Sequence, residues 1–394
     1  MIHICYAVSD KKGTYTKLIG ASMHSVFAHT EEWVTVHILH DYSLSEDNRR
    51  YLMQLVRSYG QQLVFHDLEL QYKDRLARME SGNKWMEKNG KSGNGRADWF
   101  RLLLGEELTD VERLIYLDAD TIVNLDIKEL WAEKTGENGL AAVPDGMIQD
   151  DHVSKLVKKG LCEAKRYFNA QVLLLNMPAF SQEKDLLERG VAFLRKHELS
   201  DYPVQDVLNH VFGAACCLLP DKYNTWVMKE INQGNNTLEP CIYSYNGLHA
   251  FDYGNNYQRL FWENFSDTPW CDTNFLCRLA HNIQQNANSK LLIYANLTAG
   301  KRRIVVGPDK EADKYKKMLM LREDERYLTA GELHADGMNL APAEILIIFL
   351  PYEQFTQMKK HLEACGAIEG IHFLNGMVLT ALDVRQDAKA FLEA

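Results

Sequence analysis

Two aspartates separated by one alanine directly follow an apolar stretch of the chain. Asp118 and Asp120 come after residues 114–117, a short apolar run that predicts a buried β-strand. Where the chain leaves the extended form, both carboxylates can turn toward one hard cation. Mg²⁺ and Mn²⁺ prefer such oxygen ligands and bridge the phosphates of a substrate. The pair therefore indicates a metal site for a diphosphate, although an isolated Asp-x-Asp is more often a pair of loop or helix-capping residues.

The elements that must position this pair alternate between strands and helices. Helical patterns occupy residues 15–28 and the stretch from a capping Ser45 to residue 59. Apolar, β-rich runs predict strands at residues 2–8, 34–39, 62–68, 114–117, 140–143 and 171–175. Such alternation predicts an α/β fold whose sheet is mostly parallel and carries helices on both faces. Ligands of these sheets bind beyond the carboxyl ends of the strands, where Asp118 and Asp120 fall.

The composition is that of an acidic globular protein. A chain of 394 residues that is 46% hydrophobic and 25% charged can bury a large core and form more than one domain. Its 44 basic and 54 acidic side chains leave a net charge of −10. This charge argues against a general affinity for nucleic acid or anionic lipid, so we expect no nucleic-acid partner.

Hydropathy and cysteine spacing predict a cytoplasmic location. No apolar run approaches the roughly 18 residues needed to cross a bilayer, and the apolar start at residues 1–8 lacks the basic residues of a signal peptide. The 8 cysteines include no Cys-x-x-Cys pair, which favours reduced thiols over structural disulfides. We expect a protein without a transmembrane segment that makes at most peripheral contact with a membrane.

A second, smaller domain is predicted after a polar stretch at residues 281–290. A fresh alternation follows it, with strands at residues 301–306 and 344–350 and helices at residues 311–320 and 352–364. This divides the chain into a domain at residues 1–285 and a Rossmann-like α/β accessory domain at residues 286–394. The accessory domain is expected to serve in packing or in forming a homo-oligomer.

Several sequence blocks in the first 275 or so residues closely resemble glycosyltransferase family 8. They occur in the order and approximate spacing of that family, and Asp118-Ala119-Asp120 lies in the second of them. The blocks are residues 97–104, 114–123, 130–131, 167–176 and 205–209, followed by His249. The resemblance implies a GT-A fold, a UDP-hexose donor such as UDP-glucose or UDP-galactose, and retention of the anomeric configuration. It also implies dependence on Mn²⁺, with Mg²⁺ as the second candidate.

The family's site residues can be carried over to matching positions of this chain. The metal ligands would be Asp118, Asp120 and His249. The nucleotide-sugar site would include Ala7, Asp10 and Tyr15 around the base and ribose, Arg101 facing the donor, and Ala119 between the two aspartates. The donor sugar or its reacting carbon would contact Asp145, Asn169, Gln205 and Asp206.

Each of these residues also has an ordinary structural interpretation. Arg101 could be an ion-pair partner on a helix, Asn169 a turn residue and Tyr15 a core aromatic. A lone histidine such as His249 is more often hydrogen-bonded within the protein than bound to a metal.

The chain departs from the family pattern at two places. Val204 stands where the family commonly has an acidic residue before the Gln-Asp pair, and the family's lysine after the histidine is missing. These departures leave open a nucleotide-sugar-binding protein with little turnover. A weaker alternative is a haloacid-dehalogenase-type phosphatase, in which Asp118 would form a phosphoaspartate.

Two further questions are open at this stage. Retention of configuration needs either a carboxylate nucleophile, for which Asp145 and Asp206 are the candidates, or a same-face reaction assisted by the leaving diphosphate, which we favour. The acceptor is expected to be a glycan or lipid-linked molecule of a bacterial cell-surface polysaccharide. Its contacts are expected from variable loops such as residues 82–95.

Overall fold

The computed structural model describes residues 1–80, 95–146, 150–197, 202–245, 247–252, 254–335 and 341–380. Most of the predicted polar loop at residues 82–95 therefore lies outside the described residues. The chain divides into two compact units, of which the first is Met1–Leu276 and the second begins at Cys277. The polar stretch at residues 281–290, after which the sequence predicts the second domain, is helical.

A seven-stranded sheet forms the centre of the first unit. Its order is β3-β2-β1-β4-β7-β6-β8, and three short strands form a second sheet in the order β5-β10-β9. The strands are β1 Ile2–Val8, β2 Val34–His40, β3 Gln62–Asp67, β4 Arg113–Leu117, β5 Thr121–Val123, β6 Leu140–Pro144, β7 Phe168–Asn176, β8 Cys217–Leu218, β9 Thr225–Trp226 and β10 Ile242–Ser244. Strands β1 to β4 pair in parallel, whereas β7 runs antiparallel to both β4 and β6.

Helices connect these strands. They are α1 Tyr15–Ala28, α2 Glu46–Ser58, α3 Leu68–Glu80, α4 Ala97–Phe100, α5 Leu104–Glu107, α6 Lys128–Ala132, α7 Asp150–Lys158, α8 Met177–Phe180, α9 Leu186–Lys196, α10 Pro203–Phe212, α11 Val227–Asn232 and α12 Asn256–Ser266, with α13 Thr273–Thr298 following. Short 3-10 helices lie at Arg101–Leu103, Ala164–Arg166, Asp221–Tyr223 and Gly247–Phe251, among others. The predicted mostly parallel α/β fold is confirmed.

Local sequence explains how the first helices are placed. Ser45 caps α2, because its side chain accepts from the backbone N–H of Asn48. Gly20 on α1 lets the Trp270 ring approach the helix backbone, since a Cβ at that position would lie 2.3 Å from the ring. The indole N–H of Trp270 donates to Asn48 Oδ1 at 2.8 Å. Trp270 thus joins α1 and α2 to the end of the first unit.

The second unit contains a four-stranded parallel sheet with the order β12-β11-β13-β14. Its elements are β11 Arg302–Val306, α14 Ala312–Met318, β12 Arg326–Leu328, α15 Ala330–Ala335, β13 Glu344–Ile348, α16 Tyr352–Ala364, β14 Phe373–Asn375 and α17 Gly376–Thr380, with a 3-10 turn at Asp309–Glu311. The central strand β13 is buried along its whole length, as expected for a strand with helices on both faces. This confirms the predicted smaller α/β region.

Among the described residues, no helix combines the length and the apolar character that a membrane span requires.

Candidate active site

Strand β4 delivers Asp118 to the carboxyl edge of the main sheet. The backbone N–H of Asp118 donates to the Gln171 carbonyl at 2.8 Å, which extends the pairing of β4 with β7 by one residue. The Asp118 carbonyl accepts from Thr121 Oγ1 at 2.9 Å, so the chain turns immediately after the strand. This turn brings Asp118 and Asp120 to the edge at which a parallel sheet binds its ligands.

Asp120 is anchored from a distant part of the chain. Its Oδ2 accepts from the backbone N–H of Gly247 at 2.6 Å, and its carbonyl accepts from the Tyr245 N–H at 2.9 Å. Gly247 has φ +53, and a Cβ there would lie 3.3 Å from the hydroxyl of Tyr15. The Tyr15 hydroxyl, Asp120 and the 3-10 turn at Gly247–Phe251 therefore meet.

Arg101 lies buried behind Asp118. One terminal nitrogen, Nη2, donates to Asp118 Oδ1 at 3.0 Å and to Asp98 Oδ1 at 3.1 Å. The other terminal nitrogen donates to the Ala170 carbonyl at 2.7 Å, and the guanidinium lies over the Tyr116 ring at 4.9 Å. Arg101 is therefore an ion-pair partner, but it is buried instead of lying on a helix surface, and one of its two carboxylate partners is a candidate metal ligand.

The ionised forms of Asp118 and Asp120 are disfavoured in the folded protein. Burial raises the pKa of Asp118 to about 7, although Arg101 opposes the shift, and the neighbouring Asp120 adds to it. Burial also raises the pKa of Asp120 to about 6, against the donation from Gly247. Carboxylates that are hard to ionise in the folded protein gain from a nearby cation, so this donor set fits a divalent metal ion.

His249 lies on the 3-10 turn that begins at the anchoring glycine. Its Nδ1 lies 2.9 Å from Oδ2 of Asp252, an arrangement that orients the ring. Metal-bound histidines commonly have such a carboxylate partner on their other nitrogen. Within the described ranges, however, no group of three or more His, Cys, Asp or Glu side chains is gathered closely enough to hold a metal ion.

A second cluster of predicted residues surrounds Asp145. Asn169 and Gln205 both donate to Asp145 Oδ2, from Nδ2 at 3.0 Å and from Nε2 at 2.8 Å. Gln205 Oε1 accepts from the backbone N–H of Ala170 at 3.0 Å, which fixes the orientation of its amide. The structure thus brings Asp145, Asn169 and Gln205 together at the end of β6. Asn169 directly precedes Ala170, whose carbonyl accepts from Arg101.

Asp206, which follows Gln205 in the chain, is buried among other side chains. It is 2% exposed, and its Oδ1 accepts from the Tyr167 hydroxyl at 2.5 Å and from Nε2 of His152 at 3.0 Å. Gln205 Nε2 lies 3.4 Å from the same hydroxyl. Asp206 therefore supports Gln205 through Tyr167. The sequence pattern assigns no such role to His152, which lies in no family-like block, or to Tyr167, which begins the block at residues 167–176.

At the amino end of the chain, Asp10 is engaged by helix α1. Its Oδ1 accepts from the Thr14 N–H at 2.8 Å, and its Oδ2 accepts from the N–H and the hydroxyl of Thr16, each at 2.7 Å. Ala7 lies near the carboxyl end of β1, opposite Leu39. Both residues are at the sheet edge that carries the candidate site, and their contact with a base or ribose remains a prediction.

A small cleft beside Asp145 and Asn169 has about 80 Å³ of accessible space. Its other wall is a segment that the sequence does not single out, which includes Asn224, Trp226 and Lys229. Asn224 joins the two walls, because its Nδ2 donates to Asn169 Oδ1 at 2.9 Å while its own Oδ1 accepts from the Ser244 hydroxyl. By that measure the cleft has room for a few water molecules or one small group, since a single water needs about 10–15 Å³.

Known proteins are similar to the first unit in sequence and in fold. The family model described as "Glycosyl transferase family 8" matches residues 4–243. The lipopolysaccharide 1,3-galactosyltransferase of Salmonella typhimurium is 28% identical over 214 residues, which are 52% of this chain and 59% of that protein. The lipopolysaccharide 1,2-glucosyltransferase of Escherichia coli strain K12 is 36% identical over 135 residues, which are 33% of this chain and 38% of that protein. The chain thus spans less than two thirds of these relatives.

A crystal structure of the galactosyltransferase LgtC with donor and acceptor sugar analogs superposes with a TM-score of 0.56 and 19% identity, covering 70% of this chain and 99% of that chain. This likeness confirms the predicted GT-A fold. The family match includes Asp118 and its surroundings, which favours the transferase over the phosphatase alternative. Because that match covers well over half of its residues, the chain belongs to glycosyl transferase family 8.

Proposed function

We propose that the chain transfers a hexose from a UDP-sugar, UDP-glucose or UDP-galactose, to a hydroxyl of a glycan or lipid-linked acceptor, with retention of configuration. One observation carries this proposal. In a family 8 chain, two partly buried carboxylates with raised pKa values, Asp118 and Asp120, lie at the same sheet edge as the cluster of Asp145, Asn169 and Gln205. The first pair suits a metal-bound diphosphate, and the second cluster suits the hydroxyls of a sugar.

Asp118, Asp120 and His249 would hold the divalent metal, Mn²⁺ or Mg²⁺. Such an ion neutralises the charge that builds on the leaving diphosphate as the glycosidic bond breaks. Asp252 orients His249 so that Nε2 would be the ligating atom. His249 would complete the ligand set from the 3-10 turn at Gly247–Phe251, whose first residue donates to Asp120.

The chain's own residues would hold the donor on either side of this metal. Ala7 and Asp10 lie at the end of β1, where a base would be bound, with Tyr15 offering its ring to uracil. Arg101 favours the ionised form of Asp118 against the effect of burial and would face the diphosphate through it. Ala119 places the backbone between the two ligands. The amides of Asn169 and Gln205 donate to Asp145, and Asp145 would also accept from the hydroxyls of the sugar.

The transfer would follow the same-face route. The bond between the anomeric carbon and the diphosphate oxygen breaks, and its electron pair stays on that oxygen. The acceptor hydroxyl oxygen forms the new bond on the same face, and its proton passes to the departing diphosphate. A carboxylate nucleophile is disfavoured, because Asp206 is buried behind Tyr167 and Asp145 already accepts from two amides.

The experiment is a screen of the purified protein for hydrolysis of UDP-glucose, UDP-galactose and their N-acetyl forms with Mn²⁺. Transferases of this kind slowly pass the sugar to water, so release of UDP from one hexose donor is expected without an acceptor. Binding of a UDP-sugar without any hydrolysis would instead favour the second candidate, a nucleotide-sugar-binding protein. That candidate is motivated by Val204 and by the missing lysine after His249.

The activity is proposed to serve the synthesis of a bacterial cell-surface polysaccharide in the cytoplasm. The two lipopolysaccharide glycosyltransferases to which the chain is similar support this setting.

A further inference from the structure

We infer that Asn224 is a positioning residue that couples the two halves of the candidate site. One half is the cluster around Asp145, which would hold the donor sugar. The other half is the pair Asp118 and Asp120, which would hold the metal ion and the diphosphate. The inference rests on the proposed transferase function and adds to it a residue that acts through other side chains.

Ser244 belongs to the metal half of the site. It ends β10 and is paired with Thr121, the first residue of β5, which directly follows Asp120. The next residue, Tyr245, donates its N–H to the Asp120 carbonyl at 2.9 Å. Ser244 is fully buried, so its hydroxyl has a fixed place relative to Asp120. A group that binds this hydroxyl is therefore tied to the candidate metal ligands.

Asn169 belongs to the sugar half of the site. Its Nδ2 donates to Asp145 Oδ2 at 3.0 Å, and its Oδ1 accepts from the Gln171 N–H at 2.9 Å. Nδ2 of Asn224 donates to the same Oδ1, also at 2.9 Å. Because Oδ1 accepts from two N–H groups, the amide of Asn169 must present its own NH₂ group to Asp145. Asn224 thus helps to set the orientation in which Asn169 holds Asp145.

The amide of Asn224 joins the two halves. Its Oδ1 accepts from the Ser244 hydroxyl, while its Nδ2 donates to Asn169. Its backbone directly precedes β9, and the pairing of β9 with β10 holds it beside the strand of Ser244. An amide offers both a donor and an acceptor, whereas a carboxylate of the same size can only accept and an aliphatic group can do neither. The link is therefore specific to the residue type at position 224.

The bond that would react lies between the two halves. It joins the anomeric carbon of the sugar to an oxygen of the diphosphate, so transfer requires both to be held in one alignment. Each half also has an anchor of its own. Asn169 accepts from Gln171 without the help of Asn224. Asp120 accepts from the Gly247 N–H at 2.6 Å. Loss of Asn224 should therefore leave the binding of UDP and metal intact and disturb the alignment of the sugar with them.

The test measures UDP-sugar hydrolysis and UDP binding in variants of this link. Asn224→Ala removes both hydrogen bonds, Asn224→Asp can retain only the bond from Ser244, and Ser244→Ala removes only that bond. We expect kcat for the preferred UDP-sugar with Mn²⁺ to fall about ten- to a hundredfold in both Asn224 variants, and less in Ser244→Ala. Calorimetry should find the Kd of UDP with Mn²⁺ within about threefold of the wild-type value, since no contact with UDP is removed.

A double variant shows whether Asn224 and Ser244 act as one link. Without the amide of Asn224, the Ser244 hydroxyl has lost the group through which it acts on Asn169. The variant that combines Asn224→Ala with Ser244→Ala should therefore be no slower than Asn224→Ala alone. Losses of kcat that multiply in the double variant would overturn the inference.

The matched control is Asn288→Asp, which makes the same change on the exposed surface of α13 and should leave kcat unchanged. Urea unfolding identifies the variants that are folded. Wild-type kcat in folded Asn224→Ala or Asn224→Asp protein, or a fall in UDP affinity without a fall in kcat, would overturn the inference alone. A wild-type protein that hydrolyses no UDP-sugar would overturn the proposed function, and the inference with it.

Discussion

Nη2 of Arg101 lies 3.0 Å from Oδ1 of Asp118, and the side chain of Arg101 is almost fully buried. This contact links the strand that carries the candidate metal ligands to the short helices before it. It also opposes the burial that raises the pKa of Asp118. Arg101 therefore determines how much of Asp118 is ionised and how its carboxylate is oriented.

Replacing Arg101 with lysine should destabilise the protein and weaken metal binding. A lysine cannot reproduce donation to Asp118, Asp98 and the Ala170 carbonyl from one planar group. We expect urea unfolding to show a loss of about 1.5–3 kcal/mol, the usual contribution of a hydrogen bond to a charged group. Arg50→Lys is the control, because Arg50 pairs with Asp47 on the exposed surface. Equal unfolding free energies for the two variants would contradict this role of Arg101.

Metal binding should strengthen as the pH rises. The pKa values of Asp118 and Asp120 are raised to about 7 and about 6, and only their ionised forms bind a cation well. In the metal-free protein, raised carboxyl pKa values mean that the stability from these groups is present at low pH and is lost as the pH rises through 6 and 7. The stabilisation by added Mn²⁺ should therefore be larger at pH 7.5 than at pH 5.5. Thermal melts with and without Mn²⁺ at each pH measure this stabilisation. The same rise in melting temperature at both pH values would contradict the prediction.

Asp206→Asn should weaken transfer without abolishing it. Asp206 contacts Tyr167 and His152, and it acts on the site through Gln205. Misplacement of a supporting group commonly costs about ten- to a hundredfold in rate, so kcat should fall by that order. Asp110→Asn, on an exposed turn, should leave the rate unchanged.

Mass spectrometry distinguishes a supporting role of Asp206 from a nucleophilic one. Mass spectrometry of the wild-type protein during turnover should detect no hexosyl adduct on an aspartate. A trapped glycosyl-Asp206 would show that the carboxylate attacks the sugar, and complete loss of transfer in a folded Asp206→Asn protein would contradict the predicted partial loss.

Three histidines form a chain across the parallel strands, away from the candidate site. His3 Nδ1 lies 3.0 Å from His37 Nε2, and His37 Nδ1 lies 3.0 Å from His66 Nε2. His66 Nδ1 in turn lies 2.9 Å from Glu107 Oε1. Burial, together with the neighbouring His66 and His3, lowers the pKa of His37 to about 3.

The depressed pKa of His37 predicts an acid-sensitive sheet. The neutral ring contributes stability above its ordinary pKa of about 6.5, and this contribution is lost as the pH falls toward 3. We expect His37→Gln to flatten the decline of the unfolding free energy between pH 6.5 and 4.5 by up to about 1.4 kcal/mol per pH unit. Urea unfolding across this range is the measurement. His281→Gln, on the exposed surface of α13, is the control, and equal slopes in all three proteins would contradict the prediction.

Local patterns in the sequence predict the elements that carry the candidate site. The strand before Asp118, the helix at residues 15–28 and the cap at Ser45 each depend on neighbouring residues, and the structure confirms them. The helical character of residues 281–290 could not be predicted in this way, because a polar stretch rich in Asn and Gln has weak periodicity.

Contacts between distant residues are what the sequence alone does not reveal. Asp120 and Gly247 lie 127 residues apart, and Asp206 and His152 lie 54 apart. Trp226 and Asn224 enter the site because β9 pairs with β10, and both strands are too short to show a pattern. Asp10 differs, since its bonds to Thr14 and Thr16 are local and are typical of an aspartate before a helix.

The most direct test of the central claim is the release of UDP from UDP-glucose and UDP-galactose by the wild-type protein and by Asp120→Asn, with Mn²⁺ and with a chelator. Asn can still accept from the Gly247 N–H, so the variant removes the charge while it retains the anchor. The account predicts that at least one donor is hydrolysed with Mn²⁺, that the chelator stops this hydrolysis, and that Asp120→Asn slows it by at least about a hundredfold. Hydrolysis that persists at the wild-type rate in the chelator or in the variant, or failure of the wild-type protein to bind either donor, would contradict it.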